Sequence, residues 1–334
     1  MENYSEPLQN PHPENQLTPA QAVVYPPKPP AEEPKTRANI WLRSISSLVL
    51  YLAIGYYFFN QNWTLVLVLT GVVVFHELGH FLAMKLYNYT DLGIFFIPLV
   101  GAYASGKKKE VSQLQSSIIL LAGPVPGIIV GIILQWTGSY FTDDTHLLNN
   151  ISWILIFLNL LNLLPIYPLD GGQLLNRLFL DNSQVISKIF LFLSIGAMVW
   201  FGLFSAPKPF GYALLIIPLF LLTRIISDSQ FERLTKKVED EGFDLNTAYE
   251  DISDEHYWKI RNILVRHHAS LKDVAETPPY EYSHKEEQVK TLLQNLLQRT
   301  ILQDMSIAGK IIIILIWAGC FTIPFLVELP RSFF

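Results

Sequence analysis

Long apolar runs decide what this chain can fold into. A helix needs about 20 consecutive apolar residues to cross the hydrocarbon of a bilayer. Seven runs approach that length: residues 40–59, 63–82, 116–136, 151–167, 186–204, 211–226 and 307–327. A chain of 334 residues that is 50% hydrophobic and only 16% charged, with its apolar residues gathered in such runs, does not read as a soluble enzyme. The expected fold is an all-α polytopic membrane protein, with the fourth and sixth runs short enough to be tilted or broken. Residues 1–36 are rich in Pro, Asn, Gln and Glu and hold no apolar stretch, so they read as a flexible cytoplasmic tail. A single cysteine, Cys320, excludes an internal disulfide framework, and a net charge of −5 argues against nucleic acid as a partner.

Basic residues give the orientation. Lys35, Arg37 and Arg43 flank the first run, Lys107, Lys108 and Lys109 lie between the second and third, Arg177 and Lys188 between the fourth and fifth, and Arg224, Arg233, Lys236 and Lys237 after the sixth. All fall on one side, whereas the opposite loops hold only Lys208. Positive charge collects on the cytoplasmic face, so the N-terminus is expected inside and the C-terminus outside, in a multi-pass protein of the bacterial plasma membrane.

The second run is interrupted by charge: "VVVFHELGHFLAMKL", residues 72–86. Each strongly polar group in a span costs on the order of 2 to 3 kcal/mol on insertion scales, so three together imply a compensating partner. His76 and His80, four residues apart, lie one above the other on one helical face, about 6 Å apart at Cβ, and can share a metal ion. Glu77 is rotated about 100° from His76, placed to address a water beside the metal without being a ligand. Two neutral imidazoles, a carboxylate and an open position suit zinc, one ion per chain.

The carboxylate is sought at the inner end of another span. "NLLPIYPLDGG", residues 162–172, supplies Asp170. Pro165 and Pro168 break that helix, and the carbonyls they free must be buried in protein or line a wet cavity. Gly171 and Gly172 then permit a sharp turn that lets the backbone crowd the metal, with positive φ allowed. Asn159 and Asn162 share a face of the same run. Interhelical hydrogen bonding is the expected role of Asn159; Asn162 is the candidate for touching substrate or stabilising an oxyanion.

With HELGH at 76–80, NLLPIYPLDGG ending in Asp170, and "AGPVPG" at 122–127 between them, the chain resembles the site-2 protease family of intramembrane zinc metalloproteases. The likeness covers about residues 63–172. It implies hydrolysis of a peptide bond within or beside a transmembrane segment of a membrane-anchored protein. His76, His80 and Asp170 would hold the zinc, while Glu77 would take a proton from the attacking water and return it to the leaving amine. It also implies a re-entrant β-element that binds substrate as an added strand, and "LGIFFIPLVGAYASG", residues 92–106, has the location and the strand-forming composition.

Two features depart from that pattern. Pro126 and Gly127 stand where relatives commonly carry Asn, so that helix is expected to bend and to lack the polar contact. The external loop 137–150 is too short for a PDZ domain. Between the sixth and seventh runs, residues 227–306 form a charged cytoplasmic insert with helical patterns, one opened by Ser283 and Glu286 and carrying Val289, Leu292, Leu293 and Leu296 along one side. A regulator could act there. The layout is thus a tail (1–36), a membrane-embedded metalloprotease domain (37–226), the insert (227–306) and a last spanning helix (307–334). The competing reading is a zinc-containing membrane protein that binds or chaperones others without cutting them. An intact Glu77 speaks against it, since a structural site has no use for a base.

Overall fold

The computed structural model describes residues 25–31, 37–98, 100–108, 111–141, 146–180, 183–206, 208, 210–245, 247–297, 301–302 and 304–326. Lys35 and Lys109, used above for orientation, lie outside this set.

Helix α1 (Arg37–Phe58) turns back into α2 (Trp63–Leu86). Asn62 caps α2, its side-chain oxygen accepting from the Leu65 N–H at 3.0 Å. An antiparallel hairpin follows, β1 (Thr90–Ile97) and β2 (Gly101–Lys107), with Ile94 opposite Ala104 and Phe95 opposite Tyr103. This matches the strand expectation for 92–106. A short strand β3 (Val111–Ser112) leads into α3 (Gln113–Ala122) and α4 (Pro124–Phe141), then α5 (His146–Asn162). Helix α6 (Asp170–Leu175) runs on as a π-turn over Asn176–Leu180. Next come α7 (Gln184–Trp200), α8 (Phe210–Leu214) and α9 (Ile216–Asp240). The insert adds α10 (Asp254–His267) and α11 (Glu286–Leu297), before β4 (Ile301–Leu302) and α12 (Ile307–Leu326).

Among the described residues, five helical segments are long and apolar enough to cross a membrane: Asn39–Phe58, Trp63–Leu86, Gln113–Thr137, Val185–Ser205 and Ile307–Pro324. The chain is an integral membrane protein, and these five, with the shorter apolar helix Leu147–Asn162, leave the expected count of seven unconfirmed. The fourth run is shortened because α5 stops at Asn162, ahead of Pro165 and Pro168. The sixth is split between α8 and α9, and α9 continues from apolar Ile216 into the charged stretch ending at Asp240. Pro126 lies inside α4, and the α3–α4 boundary falls at Gly123, whose backbone is right-handed helical.

Helix α2 packs against the hairpin on one side and against α3, α4 and α5 on the other. Helix α1 covers the outer edge of β1, where the Phe96 N–H donates to the Ser47 hydroxyl at 3.1 Å and Tyr51 meets the Phe96 ring at 5.7 Å. Among the described residues β2 pairs with no strand other than β1.

The insert has its own core, in which Val238, Tyr257, Trp258, Leu264, Leu271, Val289 and Leu293 are wholly buried. The Arg261 guanidinium joins α10 to α11 through both oxygens of Glu286, at 2.9 to 3.1 Å, and the Tyr257 hydroxyl donates to the same carboxylate at 2.5 Å. Glu286 also reaches back to the Ser283 N–H at 3.0 Å, as a capping box requires. Val289, Leu293 and Leu296 are buried and Leu292 half-buried, as their spacing predicted. Where the insert re-enters the membrane part, β4 pairs in parallel with β3, and Asp304 accepts from the Ser112 hydroxyl at 2.5 Å. The expectation of a free tail has one exception with a structural cause: residues 25–31 lie against the insert, held through their carbonyls and Lys28. The rest of that expectation concerns residues outside the described set.

Candidate metal centre

His76 and His80 come from the inward face of α2, and Asp170 opens α6, where the helix dipole favours a carboxylate in the first turn. His76 Nε2 lies 3.0 Å from Asp170 Oδ2, His80 Nε2 lies 3.3 Å from the same oxygen, and the two Nε2 atoms are 3.0 Å apart. Ligands about 2.0 to 2.1 Å from a tetrahedral zinc are separated from each other by about 3.3 Å, so this triangle is close to the size of one face of such a shell.

The other ring nitrogens fix what these atoms offer. His76 Nδ1 is 2.7 Å from Asn159 Oδ1, and the Asn159 amide nitrogen is committed to the Leu155 carbonyl at 2.7 Å. His80 Nδ1 is 2.7 Å from the Ile119 carbonyl. Both partners are acceptors, so each Nδ1 carries the proton and each neutral ring turns a lone pair on Nε2 toward Asp170. Two lone pairs and a carboxylate oxygen thus converge with no donor between them. Asp170 Oδ2 and Glu77 Oε2 are buried without a hydrogen-bond partner. Such an arrangement repels itself unless a cation sits among the acceptors, and the donor set of two imidazoles and one carboxylate fits zinc.

The surrounding backbone is shaped to this purpose. A Cβ on Gly123 would stand 2.4 Å from His80 Nε2, and one on Gly127 would stand 2.2 Å from the Asn159 amide nitrogen. Only glycine leaves room for the ring and the amide at these positions. The AGPVPG segment therefore seats the partner of His76 instead of supplying a polar side chain of its own.

The break after α5 is satisfied within protein. The Trp317 indole of α12 donates to the Leu163 carbonyl at 2.9 Å, the Ser194 hydroxyl accepts from the Tyr167 N–H at 3.0 Å, and Gln173 donates to the Pro168 carbonyl at 2.8 Å. Gly171 and Gly172 depart from the expectation of a sharp turn with positive φ. They lie inside right-handed α6, and a Cβ at either would meet the backbone of Leu163 or Ile166 at 1.9 to 2.3 Å. Their service is close packing of α6 on the broken end of α5.

Glu77 is buried, and the Ala104 N–H of β2 faces its carboxylate. Asn162 ends α5 half-buried and takes no part in the hydrogen bonds that orient the histidines. Asn159, one turn earlier and fully buried, does. Sequence reasoning gave Asn159 a generic helix-packing role, because nothing in a single sequence separates an amide that holds a helix from one that holds a ligand.

Residues 64–144 match the family model Peptidase family M50. The chain is 30% identical over 170 residues to a zinc metalloprotease of Methanocaldococcus jannaschii, spanning 47% of this chain and 49% of that one. It is 26% identical over 108 residues to stage IV sporulation protein FB of Bacillus subtilis, spanning 32% and 38%. It thus spans about half or less of the length of these curated relatives. Among solved structures, the site-2 protease from Methanocaldococcus jannaschii is 27% identical, covering 54% of this chain and 84% of that chain, with a TM-score of 0.40. By these sequence matches, the segment that carries His76, Glu77 and His80 is similar to peptidase family M50 and to zinc metalloproteases.

Proposed function

We propose that this chain is an intramembrane zinc endopeptidase that hydrolyses a peptide bond within or beside a transmembrane segment of a membrane-anchored protein. The observation that carries this reading is the convergence of His76 Nε2, His80 Nε2 and Asp170 Oδ2 to within 3.3 Å of one another, with both Nδ1 protons committed elsewhere. These three residues hold one zinc per chain. Bound zinc supplies Lewis acidity there, polarising the scissile carbonyl and making water more acidic. Glu77, adjacent to His76 and unpartnered at Oε2, takes the proton from the attacking water and delivers it to the leaving amine. Asn162, half-buried at the end of α5, is the candidate contact for substrate or oxyanion.

A helical substrate hides its peptide bonds, so it must unwind before it can be cut, and its freed N–H and C=O groups then need partners in a medium without water. The outer edge of β2 offers them. Helix α1 occupies the β1 edge through Ser47, whereas β2 lies against α2 with Ala104 facing Glu77. An extended substrate added along β2 meets the base directly. The N-terminus and the insert 227–306, where regulators act, lie in the cytoplasm and the C-terminus outside, as the basic residues indicate.

Comparative membrane proteomics of cells carrying the wild type or Glu77→Gln tests the reading. Membrane-anchored proteins should accumulate uncut in the variant; identical profiles would exclude it.

A further inference from the structure

The segment Tyr25–Ala31, Tyr-Pro-Pro-Lys-Pro-Pro-Ala, meets the insert more than 200 residues away in sequence. It has no helix or strand. Its burial is periodic: Pro27 and Pro30 are exposed, Pro29 is buried, and Tyr25, Pro26 and Lys28 are half-buried. A three-residue period is that of a polyproline II helix, a prism with one edge here turned to solvent and two turned to protein. Proline dictates this form by fixing its own φ and pushing the residue before it into extended backbone.

Such a helix has no internal hydrogen bonds, so its carbonyls need donors from outside. The insert supplies one to each of three. The Trp258 indole N–H donates to the Pro26 carbonyl at 2.8 Å, the Tyr282 hydroxyl to the Pro27 carbonyl, and the Tyr249 hydroxyl to the Pro29 carbonyl at 2.7 Å. The single amide hydrogen in the Pro-Pro-Lys-Pro-Pro stretch, that of Lys28, donates to Asp254 Oδ1 at 2.8 Å. Tyr25 sets its ring edge-on to Tyr280 with centroids 4.9 Å apart, while Tyr280 and Tyr282 flank Trp258 at 5.7 Å. The Lys28 ammonium then reads the centre of the motif. It donates to the carbonyls of Tyr249 and Glu250 at 2.8 Å and of Ile252 at 2.5 Å, in and just after the short 3₁₀ turn Tyr249–Asp251. Tyr249 and Trp258 belong to the insert's core as well as to this layer, and Tyr25 and Ala31 pack against that core as partly buried residues.

We propose that the aromatic face of the insert formed by Tyr249, Trp258, Tyr280 and Tyr282 is a recognition site for a proline-rich peptide with a central basic residue, filled in cis by residues 25–31. The site is separate from the zinc centre and does not depend on its chemistry. Five residues, 32–36, link the bound segment to α1, a reach of at most about 20 Å. The bound segment therefore latches the insert to the inner end of α1, the helix that carries the hairpin.

The test uses full-length protein in detergent and a fluorescent peptide of residues 23–32. A ligand tethered in cis competes at an effective concentration of about millimolar. Replacing residues 25–31 by glycine and serine should therefore raise affinity for the added peptide at least tenfold over the wild-type chain. In the same replaced chain, a peptide carrying Lys28→Glu should bind at least tenfold more weakly than the native peptide. Changing the peptide leaves the folded protein untouched. Equal affinity of the peptide for wild-type and replaced chains, or equal binding of the native and Lys28→Glu peptides, would overturn the proposal.

Discussion

Replacing Asn159 by alanine isolates what holds His76 in its binding tautomer. The substitution removes the acceptor 2.7 Å from His76 Nδ1 and leaves the buried ring with an unsatisfied N–H. Leaving such a donor unpaired costs on the order of 1 to 3 kcal/mol. Loss of an outer-shell partner of a metal-binding histidine typically lowers affinity 10- to 100-fold, which is about 1.4 to 2.7 kcal/mol. The two routes agree, so Asn159→Ala should weaken zinc binding by one to two orders of magnitude without touching a ligand. Asn159→Asp keeps an acceptor at the same place and should stay within a few-fold of the wild type. Chelator competition on detergent-purified protein reads both, with thermal unfolding of the zinc-free forms as the control for folding. Wild-type affinity in a folded Asn159→Ala protein would refute the role given to this residue.

Gly127→Ala should act on the same bond from the other side, because its Cβ would stand 2.2 Å from the Asn159 amide nitrogen. The overpacking should cost about 1 to 3 kcal/mol and lower zinc affinity together with the melting temperature. In the insert, Arg261→Met leaves the Glu286 carboxylate buried without its guanidinium, and destabilisation of about 3 to 5 kcal/mol should appear as rapid limited proteolysis of the insert. Burial alone would raise the Glu286 carboxyl, but its bonds from Arg261 and Tyr257 outweigh that and hold it below the usual carboxylate range. A depressed native pKa stabilises fully above the unfolded value of about 4.3 and is lost as pH falls through the folded value. Trp258 emission should therefore report acid unfolding of the insert below about pH 4, and Arg261→Met should shift that transition to higher pH.

Features with a period or a fixed spacing were legible in the sequence. The HELGH pair, Asp170 beyond two prolines, the strand-forming stretch 92–106 and the buried side of α11 each follow from local chemistry, and each is found where its pattern put it. Features set by partners far along the chain were not. Helix α10 carries its own start signal, Ser253 capping the His256 N–H with Asp254 and Glu255 in the first turn, yet its polar mean hides the buried side that Arg261 shares with Glu286. The sixth apolar run is broken between α8 and α9, as its shortness allowed, but nothing in it shows that α9 continues past the apolar residues to Asp240. Residues 25–31 looked unstructured for a sound reason, since a polyproline segment has no internal hydrogen bonds and gains its order only from the surface that binds it.

Glu77 gives the decisive comparison. Purified Glu77→Gln protein should retain stoichiometric zinc, because His76, His80 and Asp170 are untouched, and should fail to cleave a model transmembrane substrate that the wild type cuts. Zinc content and cleavage measured on one preparation answer together. Cleavage by the zinc-loaded variant at the wild-type rate would contradict the assignment of Glu77 as the base.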